Sequence, residues 1–233
     1  MRFTRWSTWF TDTALPVLAA VTLFAAFALG VTKGVMVLTQ TSSHDVSASL
    51  VRISSVSSRG HGTGFYVSPN LILTAAHVVA SQPSMVIYNA DGSTANAQTI
   101  WVDKASDLAL VFVLKDAKTW AKLSCERPKQ GSRVSIHGHP LWLRSVVTRG
   151  YIASNKLQTY RGKTWMVLDA TALPGNSGGP VVNADGEVVG VLTAVAVTRV
   201  LGVGMSLGSI TAISLAVPPG VICSKVKLAR MNR

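Results

Sequence analysis

The chain has 233 residues, 48% of them hydrophobic and 14% charged, with 22 Lys and Arg against 10 Asp and Glu and a formal net charge of +12. That length holds one domain, or two subdomains, plus an appendage, and the apolar content excludes a disordered, solvating chain. Two Cys cannot build a disulfide framework or a four-thiolate zinc site. The positive charge is scattered apart from residues 115–133 and 225–233, and reads as a solvated surface beside an anionic leaflet.

The first element is long and apolar. Residues 14–31 read ALPVLAAVTLFAAFALGV, and no charge occurs between Asp12 and Lys33. As a helix, about 20 such residues span about 30 Å, the thickness of a bilayer core. Arg2 and Arg5 precede the stretch, with Trp6, Trp9 and Phe10 suited to the interface. The positive-inside bias then places residues 1–13 in the cytoplasm and everything after the helix outside it. The expectation is one N-terminal transmembrane signal-anchor with its flank over 14–38, followed by a Ser/Thr-rich linker over 39–49. A cleaved signal peptide is the open alternative, because Ala26-Phe27-Ala28 resembles a cleavage site. Cleavage would release a soluble, secreted form.

From residue 50 the pattern becomes short β-branched and apolar runs: 65–67, 71–73, 85–88, 108–114, 134–136, 165–168 and 187–193. Turn residues cluster between them, as in Ser68-Pro69-Asn70, Asp91-Gly92 and Asn183-Ala184-Asp185-Gly186. Strands at this spacing without helices between them predict an all-β fold of barrels or sandwiches rather than a parallel sheet. A polar stretch at 124–131 divides the chain into halves at about 50–124 and 131–229, and one short helix is expected near 219–229.

Three segments carry chemistry. Thr74-Ala75-Ala76-His77 takes a strand into a small-residue turn that ends in His; Asp107 opens the run Leu108-Ala109-Leu110-Val111; and Ser177 sits in Pro174-Gly175-Asn176-Ser177-Gly178-Gly179-Pro180. A Ser nucleophile needs a base to take its proton and an acid to fix the tautomer of that base. Glycines allow the sharp turn that points the N–H groups of Gly175 and Ser177 at one developing oxyanion. Each segment alone is commonplace. The order His, Asp, Ser is the one associated with a double β-barrel.

On these motifs the sequence resembles the trypsin/chymotrypsin-fold serine proteases, and within them the HtrA/Deg branch. Gly62-Thr63-Gly64-Phe65, Gly138-His139-Pro140, Asp169-Ala170 and Ile213-Ser214-Leu215-Ala216-Val217-Pro218 extend the likeness over most of residues 50–229. The resemblance implies two antiparallel β-barrels of the chymotrypsin type with a short C-terminal helix, so that 50–233 form one protease domain. It implies peptide hydrolysis with Ser177 as nucleophile, His77 as base, Asp107 as the orienting acid, and Gly175 and Ser177 as oxyanion donors, without metal or organic cofactor. Polypeptides are the expected partners, and no specific nucleic-acid binding is expected.

The resemblance also locates the substrate pocket, floored near Thr171 and walled by Leu192, Thr193, Ala194 and Val195. No carboxylate stands there to pair with a substrate Lys or Arg, so cleavage after small or medium aliphatic residues is expected. Because the terminal helix packs back on the first barrel in this fold, Cys125 and Cys223 could meet in a disulfide; two independent thiols remain the alternative. Two departures stand out: His139 and Leu141-Trp142-Leu143-Arg144 replace residues that are usually Asn and a Gly-rich loop. No PDZ domain is expected after the terminal helix. His137 and His139 lack a third ligand, so no metal site is expected. The rival readings are a catalytically silent, membrane-tethered protease fold and a basic nucleic-acid-binding protein.

Overall fold

A computed structural model describes residues 46–231 apart from 55–59, 80–83, 115–116, 118, 142, 155, 161 and 203–204; at 160, 194–212 and 230 only the backbone is described. These residues belong to the unit His44–Arg233. The transmembrane segment expected at 14–38 lies outside the described residues. Among the described residues no helix is long and apolar enough to cross a membrane.

A 3-10 turn, Val46–Ser49, leads into β1 (Leu50–Ser54), β2 (His61–Ser68), β3 (Leu71–Ala75), the one-turn helix α1 (Ala76–Val79), β4 (Ser84–Asn89), β5 (Thr94–Asp103) and β6 (Leu108–Val113). These six strands close into an antiparallel barrel in the order β1-β2-β3-β6-β5-β4. The second half contributes β7 (Arg133–Gly138), β8 (Val146–Ile152), β9 (Gln158–Tyr160), β10 (Lys163–Asp169), β11 (Pro180–Val182), β12 (Val188–Gly202) and β13 (Met205–Val217), then helix α2 (Pro219–Met231). Their sheet runs β13-β12-β11-β7-β8-β10-β9, and pairing of β13 with β10 closes six of the strands into a second barrel, with β9 on its edge. The all-β expectation with a terminal helix is met.

Three apolar layers explain the strand patterns. Val51, Ile53, Tyr66, Ile72, Met85, Ile87 and Val111 fill the first barrel. Ile136, Ile152, Met166, Leu168 and Val181 fill the second. A third layer joins Leu50, Phe65, Leu73 and Leu110 to Val182, Val191 and Val217 and to Ile222 and Val226 of α2. β3 is therefore buried on both faces, which is why Leu71-Ile72-Leu73 reads as a continuous apolar run. β5, with its outer face in solvent, alternates instead.

Two boundaries differ from expectation. The run at 108–114 ends at Val113, since Leu114 is 91% exposed. The run at 187–193 continues to Gly202, because β12 and β13 stay paired from Val191↔Val217 out to Gly202↔Met205, beyond the stretch of β13 that meets β10. Helix α2 is fixed at two further points. Cys223 is disulfide-bonded to Cys125, with Cα atoms 5.7 Å apart across 98 residues of sequence, and Lys225 Nζ lies 2.6 Å from Asp103 Oδ2.

Candidate active site

Asp107 stands at the mouth of β6 in a left-handed conformation, φ 57°. Asp tolerates that region because its short side chain bonds locally. Here it lets one residue grip the turn into α1 twice over. The Asp107 carbonyl accepts the Ala76 N–H at 3.1 Å, Oδ1 accepts the His77 N–H at 3.1 Å, and Oδ2 accepts from His77 Nδ1 at 2.9 Å. The Thr193 hydroxyl, from β12, donates to the same Oδ2. Burial pushes the carboxyl up, but the hydrogen bonds from His77 and Thr193, together with the His77 charge, outweigh it and hold Asp107 below its ordinary range. An ionised carboxylate only accepts, so Nδ1 of the neutral imidazole carries the proton and Nε2 is the basic nitrogen. Asp107 is buried and His77 exposed, which leaves that nitrogen open to a reactant.

The Ser177 loop is held against the first barrel by its backbone. Ser177 O accepts the Thr63 N–H at 2.8 Å, and Gly178 and Gly179 are sewn to Leu192 of β12 by bonds of 2.7 and 2.8 Å. A Cβ at Gly178 (φ 83°) would fall 2.2 Å from Thr63 O and 2.2 Å from Thr74 Oγ1, so the turn closes only with glycine. A Cβ on Gly62 would lie 3.2 Å from Ser177 O and 2.6 Å from Val78, the residue after His77. The Ser177 backbone and the His77 turn thus pack against the same glycine.

Two amides flank Asn176 in this loop, those of Gly175 and Ser177. Leu141 N–H donates to Pro174 O at 2.8 Å, and because the Pro174–Gly175 peptide is trans, the Gly175 N–H is turned the opposite way. Among the described residues neither the Gly175 nor the Ser177 N–H has an acceptor.

Three of the expected pocket residues, Thr171, Leu192 and Thr193, are described with their side chains. Thr171 is exposed, its carbonyl accepting from Thr148 Oγ1 at 2.7 Å. Leu192 is 2% exposed and packs in the second barrel's core. Thr193 directs its hydroxyl to Asp107. The side chains of Ala194 and Val195 lie outside the described residues. The two histidines of 137–139 part company: His137 Nε2 bonds Ser135 Oγ at 2.9 Å, while His139 is buried with Nδ1 accepting the Ser145 N–H at 3.2 Å. Burial, then the charges of Arg52, His61 and Arg144, depress His139 to about 4. Among the described residues no three metal-ligating side chains come together.

Residues 62–191, more than half of the chain, match the family described as trypsin-like peptidase domain, and the chain belongs to that family. Its likeness within the family is to the HtrA/Deg type. It is 39% identical over 141 residues to serine protease HTRA1 of Xenopus laevis, covering 57% of this chain and 31% of that one. It is 33% identical over 158 residues to a probable periplasmic serine endoprotease, DegP-like, of Chlamydia pneumoniae, covering 65% of this chain and 32% of the other. The chain thus spans about a third of the length of these curated relatives. Among solved structures, the serine endoprotease from Yersinia pestis superposes with a TM-score of 0.63 at 26% identity, over 81% of this chain and 65% of that chain. A mutant of Rv3671c from M. tuberculosis H37Rv, in an inactive form, gives 0.68 at 21% identity over 84% and 94% of the two chains, a likeness of fold.

Proposed function

We propose that this chain is a serine endopeptidase of the HtrA/Deg type whose catalytic residues are Ser177, His77 and Asp107. The observation that carries the reading is the buried Asp107 carboxylate, bonded to His77 Nδ1 at 2.9 Å, with the His77 turn and the Ser177 backbone packed against the same residue, Gly62. In this mechanism Ser177 Oγ attacks a peptide carbonyl while His77 Nε2 takes its proton. Asp107 stabilises the imidazolium, and the Gly175 and Ser177 amides hold the oxyanion. His77 then protonates the leaving amine, and a water that it activates hydrolyses the acyl-enzyme. Nucleophile, base and oxyanion donors all come from the chain, so these steps call for no cofactor.

The proposal extends to substrate and place. The pocket for the residue before the cut is taken to be floored near Thr171 and walled by Leu192-Thr193-Ala194-Val195, where no carboxylate stands. An unpaired Lys or Arg there would lose several kcal/mol to desolvation, against about 1–3 kcal/mol from packing its stem. The substrates are therefore extended or unfolded polypeptides, cut after Val, Ala, Ile or Leu and paired along the β12 edge. The apolar segment at 14–31 holds the domain at a membrane, outside the cytoplasm, in keeping with the periplasmic assignment of the Chlamydia pneumoniae relative.

A fluorophosphonate probe should label the full-length protein but not Ser177→Ala, and wild type alone should digest an unfolded protein, with aliphatic residues before the cut. Unchanged turnover in Ser177→Ala would overturn the mechanism. A dominant Lys or Arg before the cut would overturn the pocket.

A further inference from the structure

Thr63, in β2, is 0% exposed, and a buried hydroxyl destabilises a fold unless it is bonded. It is bonded twice. Oγ1 accepts the His139 N–H at 3.0 Å and donates to Gly175 O at 2.7 Å. The polarity is fixed, because an amide only donates and a carbonyl only accepts. The Thr63 backbone N–H reaches Ser177 O, and its carbonyl accepts from Thr74 Oγ1 at 2.7 Å. One residue therefore holds the carbonyls of both Gly175 and Ser177. The crowding around it is tight: a Cβ on Gly138 would lie 3.1 Å from Thr63 Oγ1 and 2.6 Å from Asn176 Oδ1.

We infer that Thr63 is a positioning residue for the oxyanion hole, and this rests on the reading of Ser177 as the nucleophile. Gly175, at φ 100°, has no side chain to restrict it, so the direction of its N–H depends on the peptide planes on either side. The plane before it is anchored by Leu141 N–H on Pro174 O. The plane after it is anchored by Thr63 Oγ1 on Gly175 O. The same hydroxyl holds His139 N–H, and His61 Nε2 donates to His139 O at 2.8 Å, so the segment that carries Leu141 is moored to β2 as well. Removing the hydroxyl frees the plane after Gly175, loosens the segment that anchors the plane before it, and leaves Gly175 O and the His139 N–H without this partner. The cost falls on the transition state, where the oxyanion needs the Gly175 amide, and not on ground-state binding.

The test uses the full-length protein, with each variant's active sites titrated by fluorophosphonate. Thr63→Val should lower kcat per titrated site by about 10- to 100-fold, somewhat less than deleting an oxyanion donor, with KM nearly unchanged. A peptidyl trifluoromethyl ketone, whose adduct places an oxyanion in the hole, should weaken by the same factor, while a product peptide keeps its affinity. Thr63→Ser should restore both. Wild-type kcat in Thr63→Val, or equal weakening of ketone and product peptide, overturns the inference. If Thr63→Val does not fold, Thr63→Cys and Thr63→Ser are compared, since they differ only in thiol against hydroxyl; equal kcat and ketone affinity overturn it. A wild type that neither labels nor hydrolyses removes the Ser177 reading and this one together, whereas an active wild type with indifferent variants removes this one alone.

Discussion

His139 shows how burial turns a titratable residue into a condition on stability. It is 4% exposed, and burial, with Arg52, His61 and Arg144 nearby, depresses it to about 4. The unfolded chain therefore binds a proton between about pH 6.5 and 4 that the folded chain refuses, so stability falls as pH falls through that window. About 3 kcal/mol is at stake on going from pH 7 to 4. Asp107 and Asp103 act lower on the scale: their depressed carboxyls contribute stability above the ordinary carboxylate range and lose it only as pH drops through their folded values. His139→Asn removes the titrating ring and keeps an acceptor for the Ser145 N–H, so urea unfolding of the variant should show a flatter slope between pH 7 and 4. Equal slopes for the two proteins would show that His139 takes up its proton while folded.

At the scale of elements, α2 is the closing strap. Ile222 and Val226 enter the layer shared by both barrels, Lys225 pairs with Asp103 of β5, and Cys223 is tied to Cys125 in the connector between the barrels. Closing 98 residues of sequence removes loop entropy from the unfolded chain worth about 4–5 kcal/mol. The double substitution Cys125→Ser with Cys223→Ser should lower the unfolding free energy by an amount of that order, read from the urea midpoint, and reductant should bring the wild type to the same value. No shift in midpoint would mean that the helix is held by its apolar face alone. The ion pair adds little, since Lys225 is partly exposed and solvent screens it.

For the whole molecule the open matter is where the protease domain works. On the proposed reading, Arg2 and Arg5 before an uncharged stretch of about 20 residues predict a single crossing with residues 50–233 outside the cytoplasm. Alkaline carbonate should leave the full-length protein in the membrane pellet, and protease added to spheroplasts should remove its C-terminal epitope. A soluble species that begins near Leu29 would replace the anchor with a cleaved signal.

Much of the architecture was legible because it is written in local patterns. Strand period, turn residues and the terminal helix at Pro219 follow from side-chain alternation and backbone restrictions acting over a few residues. The candidate site was legible as three segments, since sharp glycine turns around Ser177 and an Asp at a strand mouth are local as well. Pairings set by strand register were not. Nothing beside Thr193 in the sequence announces that β12 places its hydroxyl on Asp107, 86 residues away, or turns Leu192 into the second barrel. Thr63 is one polar residue between two glycines until barrel closure brings it to Gly175, 112 residues on. Local sequence determined which residues could form strands, turns and the glycine-rich Ser177 loop. Which distant polar groups satisfy one another was decided only by the tertiary structure, because a buried donor finds its acceptor through register and packing rather than through neighbours in the chain.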